Sequence, residues 1–501
     1  MSIIESWSQI VNNSPVIIPS RDEFLEKTTP GRRMAIYQDL LADVETPLSA
    51  YWKLASNETF SFLLESVTGG EQLARYSILG VRPREVIRTK GDRVSRMTGS
   101  SEITVTLQSG EDPLDLLKAS MEGHAPITLP DMPTFVGGAV GLLSYDIVRF
   151  FERLGDGPKD DLDIDDMAMM LCDTVIVFDH ARNLIRVMVM AGPSGYDAAV
   201  DEIGRVVTIL RSSLPPLPSD VFEPHATSAN MGQGTFEDIV RRVKRYIAAG
   251  DGIQMVPSLR FGTPVDAHPL TVYRALRSLN PSPYMFLLRF GDFDLVGASP
   301  ELLVSLHGRK ARVRPIAGTR WRGKDPEEDS ALAEELLADE KERAEHIMLV
   351  DLGRNDLGRV CEFGTVKVNE LMVIERYSHV MHIVSDVTGY LAPGRDAYDL
   401  IRASFPAGTV SGAPKVRAMQ IIDEMEPTRR GSYAGAVGFL SHTGDLDMCI
   451  AIRTILIKRG TAYVQAGAGI VFDSDPAKEY EECRNKAKAS LRAIEMAQRG
   501  L

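Results

Sequence analysis

The stretch LDMCIAIRTILIKRGTAYVQAGAGIVFDSDPAKEYEECRNK, residues 446–486, says most about the fold. It contains two apolar strands, predicted at 446–460 and 461–473 and joined by a tight turn, and then a helix that begins at Pro476. Asp475 supplies a capping carboxylate, and proline is favoured at the first helical position because no N–H is lost there. Consecutive strands with tight turns favour antiparallel sheets, so the stretch predicts the α+β class.

The same mixture of strands, turns and helices extends over residues 235–495, which we expect to form one unit. Residues 214–234 are rich in proline, serine and glycine and are interpreted as an interdomain linker. Residues 1–213 hold short apolar runs, including a predicted hairpin around Ala181–Asn183. The predicted division is therefore 1–213, the linker, and 235–501.

Composition and charge narrow the class of protein. With 501 residues, the chain is long enough for two domains or one large two-lobed body. A net charge of −13 argues against nucleic acid and anionic membranes as main partners. The four cysteines form no C-x-x-C pair, which is typical of a reducing cytoplasm. No signal-peptide pattern is present, and no apolar run reaches the ~18 residues needed to cross a bilayer.

Two segments each carry a pair of glutamates at helical spacing. Glu342 and Glu345 lie in a predicted long helix at 328–350, and Glu479 and Glu482 lie in the C-terminal helix. Positions i and i+3 share a helix face, so each pair presents its carboxylates together. Four oxygen ligands would suit Mg²⁺. The alternative for any single pair is a solvated helix face, because the chain has 69 acidic residues.

Further features point to an anionic ligand. Arg453 lies within the apolar run CIAIRTILI, where a charge is rarely buried without a bound carboxylate or an acidic partner. Gly467 and Gly469 lack the third glycine of a dinucleotide motif; they would bring backbone N–H groups close to an anion, or form a tight turn. Thr409 lies in a glycine-rich loop that enters a helix and offers donors, or is an ordinary capped helix start. His382 is either a packed core residue or a catalyst.

Several strings in the second half resemble the chorismate-utilising enzymes, and most closely the large component of anthranilate synthase. They are GASPE (297–301), PIAGTRWRG (315–323), EHIMLVDLGRND (345–356), YSHVMHIVSDVTG (377–389), GTVSGAPKVRAM (408–419), GSYAGAVGF (431–439), LDMCIAIRT (446–454) and the segment from VQAGAG to ECRNKAKA (464–488). The resemblance implies an α+β, two-lobed body in which antiparallel β-sheets pack face to face and are flanked by helices. It also implies a regulatory element within 1–213 and a chorismate-binding catalytic domain in 235–501.

The same resemblance implies residue roles. Glu301 is similar to the general acid that protonates the departing 4-hydroxyl of chorismate, which requires burial to raise its pKa. Thr409 and His382 match residues that line the ring, and His382 is the candidate for assisting the elimination step. The four glutamates match ligands that hold Mg²⁺, partly through water. The residues matching those beside the enolpyruvyl carboxylate are Tyr433, Arg453, Gly467 and Gly469.

Two positions indicate the nucleophile. Gln254 stands where isochorismate and salicylate synthases carry a lysine that activates water, and Ala317 stands where aminodeoxychorismate synthases often carry a lysine that forms a covalent adduct. The resemblance therefore implies that ammonia attacks C2 of chorismate, and that loss of the 4-hydroxyl and then of pyruvate gives anthranilate, the first step of tryptophan biosynthesis. A 2-amino-2-deoxyisochorismate synthase and an aminodeoxychorismate synthase remain alternative enzymes. An inactive tryptophan-sensing partner protein is the non-enzyme alternative.

Two kinds of partner are implied as well. No cysteine lies in the glycine-rich elbow of a glutamine amidotransferase, so a separate glutaminase subunit and a hetero-oligomer are expected. The strings LLES (63–66) and NPSPYMF (280–286) resemble a tryptophan feedback pocket, although simple packing between the two halves is the alternative. The predicted inhibitor-binding residues are Glu65, Ser66, Pro283, Tyr284 and Met285.

Overall fold

The computed structural model describes residues 16–67, 75–122, 125–127, 129–377 and 380–501. The α-helices within these ranges are α1 (Arg21–Lys27), α2 (Pro47–Ala55), α3 (Pro113–Met121), α4 (Tyr196–Leu210), α5 (Gln233–Ala248), α6 (Pro269–Leu279), α7 (Pro326–Ala338), α8 (Glu340–Gly358), α9 (Ala397–Ser404), α10 (Gly408–Ser411), α11 (Lys415–Met425) and α12 (Pro476–Gln498). A 3₁₀ helix covers Tyr145–Phe150. Across these ranges, no helix combines the length and the apolar character needed to cross a membrane.

The strands of the described ranges are named in chain order. They are β1 (Arg32–Leu41), β2 (Phe60–Glu65), β3 (Tyr76–Val81), β4 (Glu85–Lys90), β5 (Arg93–Thr98), β6 (Ser101–Thr106), β7 (Ala125–Ile127), β8 (Gly138–Leu143), β9 (Met167–Cys172), β10 (Thr174–Asp179), β11 (Leu184–Ala191), β12 (Ser228–Ala229), β13 (Gln254–Met255), β14 (Ser258–Pro264), β15 (Tyr284–Phe290), β16 (Phe293–Ser299), β17 (Leu302–His307), β18 (Lys310–Val313), β19 (Ile316–Trp321), β20 (Lys367–Arg376), β21 (Val380–Tyr390), β22 (Gly412–Ala413), β23 (Ala436–Ser441), β24 (Leu446–Ile450), β25 (Thr454–Lys458) and β26 (Thr461–Gly467).

Most strands belong to two large sheets. Sheet A has the order β12-β14-β26-β25-β16-β15-β2-β3-β10-β11-β1-β7, and sheet B has the order β19-β21-β18-β17-β24-β23-β8-β9-β4-β5-β6, with β20 also paired to β21. Neighbouring strands run antiparallel in both sheets, apart from the parallel pair of β1 and β7. Each sheet takes strands from both sides of the predicted linker 214–234, so the two predicted domains share both sheets. The boundary itself stays a prediction.

The two sheets pack face to face, and helices cover their outer faces. Phe62 and Phe286 from sheet A and Phe439 from sheet B lie in one shared core between the sheets. On the outer faces, Ile494 of α12 packs in the core of sheet A, and Leu400 of α9 packs in the core of sheet B. Burying each such side chain contributes about 2 kcal/mol. The predicted α+β fold, with antiparallel sheets packed face to face and flanked by helices, is confirmed.

The chain passes directly from one sheet to the other at four short connections within the described ranges. They are residues 82–84, Asp173, Pro300–Glu301 and residues 451–453. The prediction of one continuous strand over 446–460 is therefore wrong. β24 ends at Ile450 and β25 begins at Thr454, and Arg453 between them has a φ of 51°. Apolar residues continue through this corner because both of its sides are buried, so the sequence pattern does not reveal the break.

The prediction of one long helix at 328–350 is also wrong. α7 ends at Ala338 and α8 begins at Glu340, because Asp339 has a ψ of 109° and its side chain accepts hydrogen bonds from the backbone N–H groups of Lys341 and Glu342. This capping arrangement starts a new helix. The break places Glu342 in the first turn of α8.

Candidate active site

Glu301 lies at the corner between β16 and β17 and is buried. Burial raises the pKa of this carboxyl to about 8, and the nearby Thr409 hydroxyl and Lys486 ammonium lower it only in part. Thr409 approaches the carboxyl from α10, and its buried Oγ1 has no full hydrogen bond among the described residues. A carboxylic acid with this pKa keeps its proton at neutral pH and can donate it to a leaving group.

Arg453 lies at the adjacent corner, which is joined to the first by hydrogen bonds. The N–H of Ala298 donates to the carbonyl of Arg453 at 3.2 Å, and that of Ile450 donates to the carbonyl of Glu301 at 3.0 Å. The Arg453 guanidinium donates to the carbonyl of Lys486, and burial lowers its pKa. No acidic side chain of the described residues lies within ion-pair distance of it, so the guanidinium is available to an anionic ligand.

Tyr433 and the predicted glycines adjoin this arginine. The charges of Arg453 and Glu482 act on each other, and the Tyr433 phenol interacts electrostatically with the same guanidinium. A Cβ added at Gly467 would lie 2.7 Å from the Tyr433 hydroxyl and 2.9 Å from the carbonyl of Pro257, so a side chain has no room there. A Cβ at Gly469 would overlap the Gln254 amide. The structure thus brings together the residues predicted to bind one carboxylate.

His382 lies in β21, and a hydrogen bond to a backbone carbonyl fixes which of its ring nitrogens carries the proton. Its Nδ1 is 2.9 Å from the carbonyl of Gly318 and 3.1 Å from the hydroxyl of Thr319. Because a carbonyl can only accept, Nδ1 carries the hydrogen and Nε2 carries the lone pair in the neutral ring. Burial lowers the pKa of His382, and the Arg453 cation lowers it further. The ring is neutral at neutral pH, and Nε2 can accept a proton.

The two carboxylate pairs occupy the starts of α8 and α12. Burial and the neighbouring charge of Glu345 raise the pKa of Glu342. Burial and the charge of Glu482 raise the pKa of Glu479, whereas the Lys341 ammonium lowers it. Lys341, in the first turn of α8, is therefore near enough for its charge to act on Glu479 in the first turn of α12. Each pair therefore concentrates negative charge, and the two helix starts face the same region.

The donor chemistry suits a hard divalent cation, with one restriction. Carboxylate oxygens are the ligands that Mg²⁺ prefers, and a cation would relieve the repulsion within each pair. In the described part of the chain, no three acidic, cysteine or histidine side chains come close enough to hold a metal ion directly. Mg²⁺ often keeps several waters and is held through them, so direct contact by three side chains is not required. Gln254 holds one of the carboxylates in place, since its Nε2 donates to Glu345 Oε1 at 3.0 Å.

Lys486 is a site residue that the sequence reasoning missed. Its ammonium forms an ion pair with Glu482 at 2.7 Å, donates to the carbonyl of Gly467 at 3.0 Å, and lowers the pKa of Glu301. It therefore lies between the corner that holds Glu301 and the carboxylate pair of α12. The i, i+4 spacing from Glu482 was the available signal, because side chains at that spacing meet on one helix face.

Comparison with known proteins identifies the family. Residues 59–492 match the family described as chorismate binding enzyme. The chain belongs to the chorismate binding enzymes. It is 48% identical to anthranilate synthase component 1 of Thermus thermophilus over 479 residues, covering 95% of this chain and 100% of that relative. It is 47% identical to the component 1 of Pseudomonas aeruginosa, covering 96% and 100%. The solved structure of component I from Streptococcus pneumoniae is 40% identical, covers 90% of this chain and 99% of that one, and has a TM-score of 0.76.

In this chorismate binding enzyme, the predicted inhibitor residues come from two neighbouring strands. Glu65 at the end of β2 is paired directly with Met285 in β15. The Val67 N–H donates to the Ser282 carbonyl at 3.3 Å, so Ser66 and Pro283 lie at the same end of this strand pair. The two predicted segments are therefore neighbours. Their role in binding an inhibitor stays a prediction.

Two details limit how these residues could form a pocket. The Glu65 carboxylate already accepts hydrogen bonds from the Tyr273 hydroxyl and from Arg277 Nε, the latter at 3.2 Å. Tyr284 and Met285 are consecutive in a strand, so their side chains point to opposite faces. Met285 packs in the core of sheet A under the helices, and Tyr284 packs between the sheets. A single apolar slot can therefore use only one of these two side chains.

Proposed function

We propose that this chain is the chorismate-binding component of an anthranilate synthase. It aminates chorismate at C2 with ammonia, expels the 4-hydroxyl, and eliminates pyruvate to give anthranilate. The observation that carries the proposal is the buried Glu301 carboxyl with its raised pKa, next to Arg453, a buried cation with no acidic partner within ion-pair distance. The names of relatives that are 47% and 48% identical over nearly the whole chain support it.

The first step needs a proton donor at the leaving oxygen. Glu301 gives its proton to the 4-hydroxyl, which departs as water while the ring double bonds shift and the new C2–N bond forms. Arg453, Tyr433 and the backbone beside Gly467 hold the enolpyruvyl carboxylate, and this anchors the side chain that leaves in the second step. Contacts at the 4-hydroxyl and at the enolpyruvyl carboxylate fix the ring, so C2 and C4 are already oriented for reaction.

The second step removes a proton from C2. Nε2 of His382 accepts that proton, the C3–O bond breaks, and the enolpyruvyl group leaves as the enolate of pyruvate, which takes up a proton. The resulting ring is aromatic. The His382 tautomer that is fixed by Gly318 has its lone pair on the nitrogen that this step requires.

We propose Mg²⁺ as the cofactor, with Glu342, Glu345, Glu479 and Glu482 around it. When bound, the ion would neutralise the ring carboxylate and so allow an anionic substrate to approach four acidic residues. Turnover is expected to stop when the metal is chelated and to return when Mg²⁺ is added. Glu345→Gln and Glu482→Gln are expected to lose turnover while they stay folded, and near-normal activity in both variants would contradict this site.

Ammonia is the proposed nucleophile because the chain offers water no base at this position. The Gln254 amide is not basic, and it is committed to Glu345. Ala317 in β19 cannot form a covalent adduct. The relatives' designation as component 1 supports a separate second component, which we propose to be a glutamine amidotransferase that delivers the ammonia. We further propose a cytoplasmic location, which fits four cysteines that are all free and buried.

We also propose that tryptophan inhibits the enzyme from the β2–β15 strand pair. Because these strands belong to the two halves of the chain, a ligand there can bias how the halves pack. Asp447 in β24 interacts electrostatically with Tyr284, has an Oδ1 without a hydrogen-bond partner among the described residues, and has a pKa that burial raises to about 7. Ser66→Arg is expected to abolish inhibition and to leave ammonia-dependent activity intact. Equal sensitivity of the variant and the wild type would contradict the pocket.

The reaction itself is tested by incubating the purified chain with chorismate, Mg²⁺ and excess ammonium salt at a pH not above about 8, where Glu301 still holds its proton. The expected products are anthranilate and pyruvate in equal amounts, identified by fluorescence and mass. Accumulation of an aminated product that retains the enolpyruvyl group would favour an aminodeoxyisochorismate or aminodeoxychorismate synthase. Glutamine alone should give no product, and adding a glutaminase subunit should restore it. Absence of any chorismate turnover would contradict the proposal.

A further inference from the structure

A buried ion pair, Glu426 with Arg430, lies next to the segments that carry the candidate active-site residues. Glu426 is the residue that ends α11, and Arg430 follows it by four residues in the loop; both side chains are almost fully buried. The Arg430 Nε donates to Glu426 Oε2 at 3.0 Å and its Nη2 donates to Oε1 at 2.7 Å. Neither side chain lines the cavity beside Glu301 and Thr409. Retaining two charges in such a place is costly unless the pair does something that apolar residues could not.

The pair connects segments that each carry a site residue. Arg430 Nη1 donates to the carbonyl of Val410 at 2.7 Å, and this residue follows Thr409 in α10. Its Nη2 also donates to the carbonyl of Val256 at 2.6 Å, two residues after Gln254. The planar guanidinium reaches both carbonyls and the carboxylate at once, which the single ammonium of a lysine could not do.

The same side chains support the residues predicted to bind the enolpyruvyl carboxylate. The Arg430 guanidinium lies 5.4 Å from the ring centroid of Tyr433. Glu426 Oε1 accepts hydrogen bonds from both the N–H and the hydroxyl of Ser258, each at 2.8 Å. Ser258 is paired with Gly467 across β14 and β26. The pair therefore touches the tyrosine directly and reaches the glycine turn through one strand.

We infer that Arg430 and Glu426 form a positioning pair that fixes Thr409, Tyr433 and Gly467 relative to one another for binding chorismate. This inference rests on the proposed function, because it concerns the same pocket. Binding groups that are already held in position do not have to be ordered when the substrate binds, so a loss of their position weakens binding. The pair holds the binding groups in position and does not itself touch the reacting atoms. Its loss should therefore act mainly on substrate binding.

The test replaces both charges together, since removing one alone would leave the other buried and unpaired. The double variant Glu426→Gln/Arg430→Gln is compared with the control Asp39→Asn/Arg186→Gln. The control pair is built alike: Arg186 bonds both oxygens of Asp39 at 2.7 Å, donates to a backbone carbonyl, and stacks on a tyrosine ring at 4.1 Å. It joins β1 to β11 and touches no segment of the site.

The expected result is a rise of about tenfold in the KM for chorismate in the first variant, with kcat much less affected and the control near the wild type. Arg430→Lys, which keeps the positive charge but loses the planar set of N–H donors, should give an intermediate KM. A folded double variant with the KM of the wild type would overturn the inference. If the double variant does not fold, an unchanged KM in Arg430→Lys overturns it. An inactive wild type would instead contradict the proposed function.

Discussion

The chain crosses between the two sheets at two paired corners that are built in the same way. One corner joins β3 to β4 beside the link from β9 to β10, and the other joins β16 to β17 beside the link from β24 to β25. At the first, the connections carry Arg84 and Asp173. At the second, they carry Glu301 and Arg453. The two corners share one topology, but the acidic and basic residues occupy opposite connections in them.

The two corners also share a local sequence pattern. ILGVRPR (78–84) and LVGASPE (295–301) each place a glycine three residues before a proline, and the charged residue follows that proline. Gly80 is paired with Phe62 and Gly297 with Phe286 on the neighbouring strands. A Cβ at either glycine would overlap the opposite phenyl ring. The shared packing gives both corners the same shape, so the shape alone cannot explain why only one is a candidate site.

The difference lies in how the charges are satisfied. Asp173 accepts hydrogen bonds from both terminal nitrogens of Arg33, at 2.8 and 2.7 Å, and lies 3.5 Å from Arg84. Burial alone would raise the pKa of Asp173, but His442 and Arg33 hold it well below the usual range. At the other corner, burial raises the pKa of Glu301 to about 8, and no acidic side chain of the described residues lies within ion-pair distance of Arg453. Unsatisfied charge in a buried corner is what a substrate can use.

The largest effect on activity is expected for Glu301→Gln. Losing a general acid should lower kcat/KM by a factor of about 10² to 10⁴. The free energy of unfolding should stay the same or increase, because a buried carboxyl without an ionic partner is replaced by a neutral amide of the same shape. Steady-state kinetics and urea denaturation measure the two quantities. Comparable losses of stability and activity would mean that this corner is structural.

Arg453→Gln should have the next largest effect. Without the cation, the enolpyruvyl carboxylate loses its counter-charge, and the KM for chorismate should rise about 30-fold or more. Unfolding should be little affected, since the guanidinium has no ion pair to lose. The measurement is a chorismate titration at saturating ammonia. An unchanged KM would show that the carboxylate is held elsewhere.

The pH dependence of activity should follow the Glu301 carboxyl. The protonated acid is the active form, and its pKa is raised to about 8, so activity is retained below that pH and lost above it. Each pH unit beyond the pKa should cost about tenfold in kcat/KM. The assay must hold the concentration of unprotonated ammonia constant. A profile without this alkaline limb would contradict the assignment.

Asp173→Asn should have the smallest effect on activity and the clearest effect on stability. Breaking the ion pairs should cost about 2 kcal/mol of unfolding free energy, and kcat/KM should stay within about threefold of the wild type. Because the folded-state pKa of Asp173 is lowered, the wild type loses this contribution as the pH falls, and the variant lacks it throughout. Urea denaturation at neutral and acidic pH gives both numbers. A large loss of activity with unchanged stability would place chemistry at the first corner.

The sequence predicts the fold class and the site candidates better than it predicts their geometry. The glutamate pairs and Arg453 stand out because carboxylates at i, i+3 and a charge among apolar residues are local signals. The breaks at Asp339 and at residues 451–453 were not predicted, since a buried corner stays apolar and a capping aspartate resembles any acidic helix residue. Lys486 was missed because its partners, Gly467 and Glu301, are close only in the folded chain.

The most direct test of the account is the titration of Glu301 itself. Infrared difference spectra of the wild type minus Glu301→Gln, recorded across pH without substrate, isolate the stretching band of this one protonated carboxyl. If burial holds the proton on Glu301, the band persists at neutral pH and disappears with a midpoint of about 8. A midpoint near 4.5, the value of an ordinary glutamate, would contradict the claim that this corner holds a protonated acid ready for catalysis.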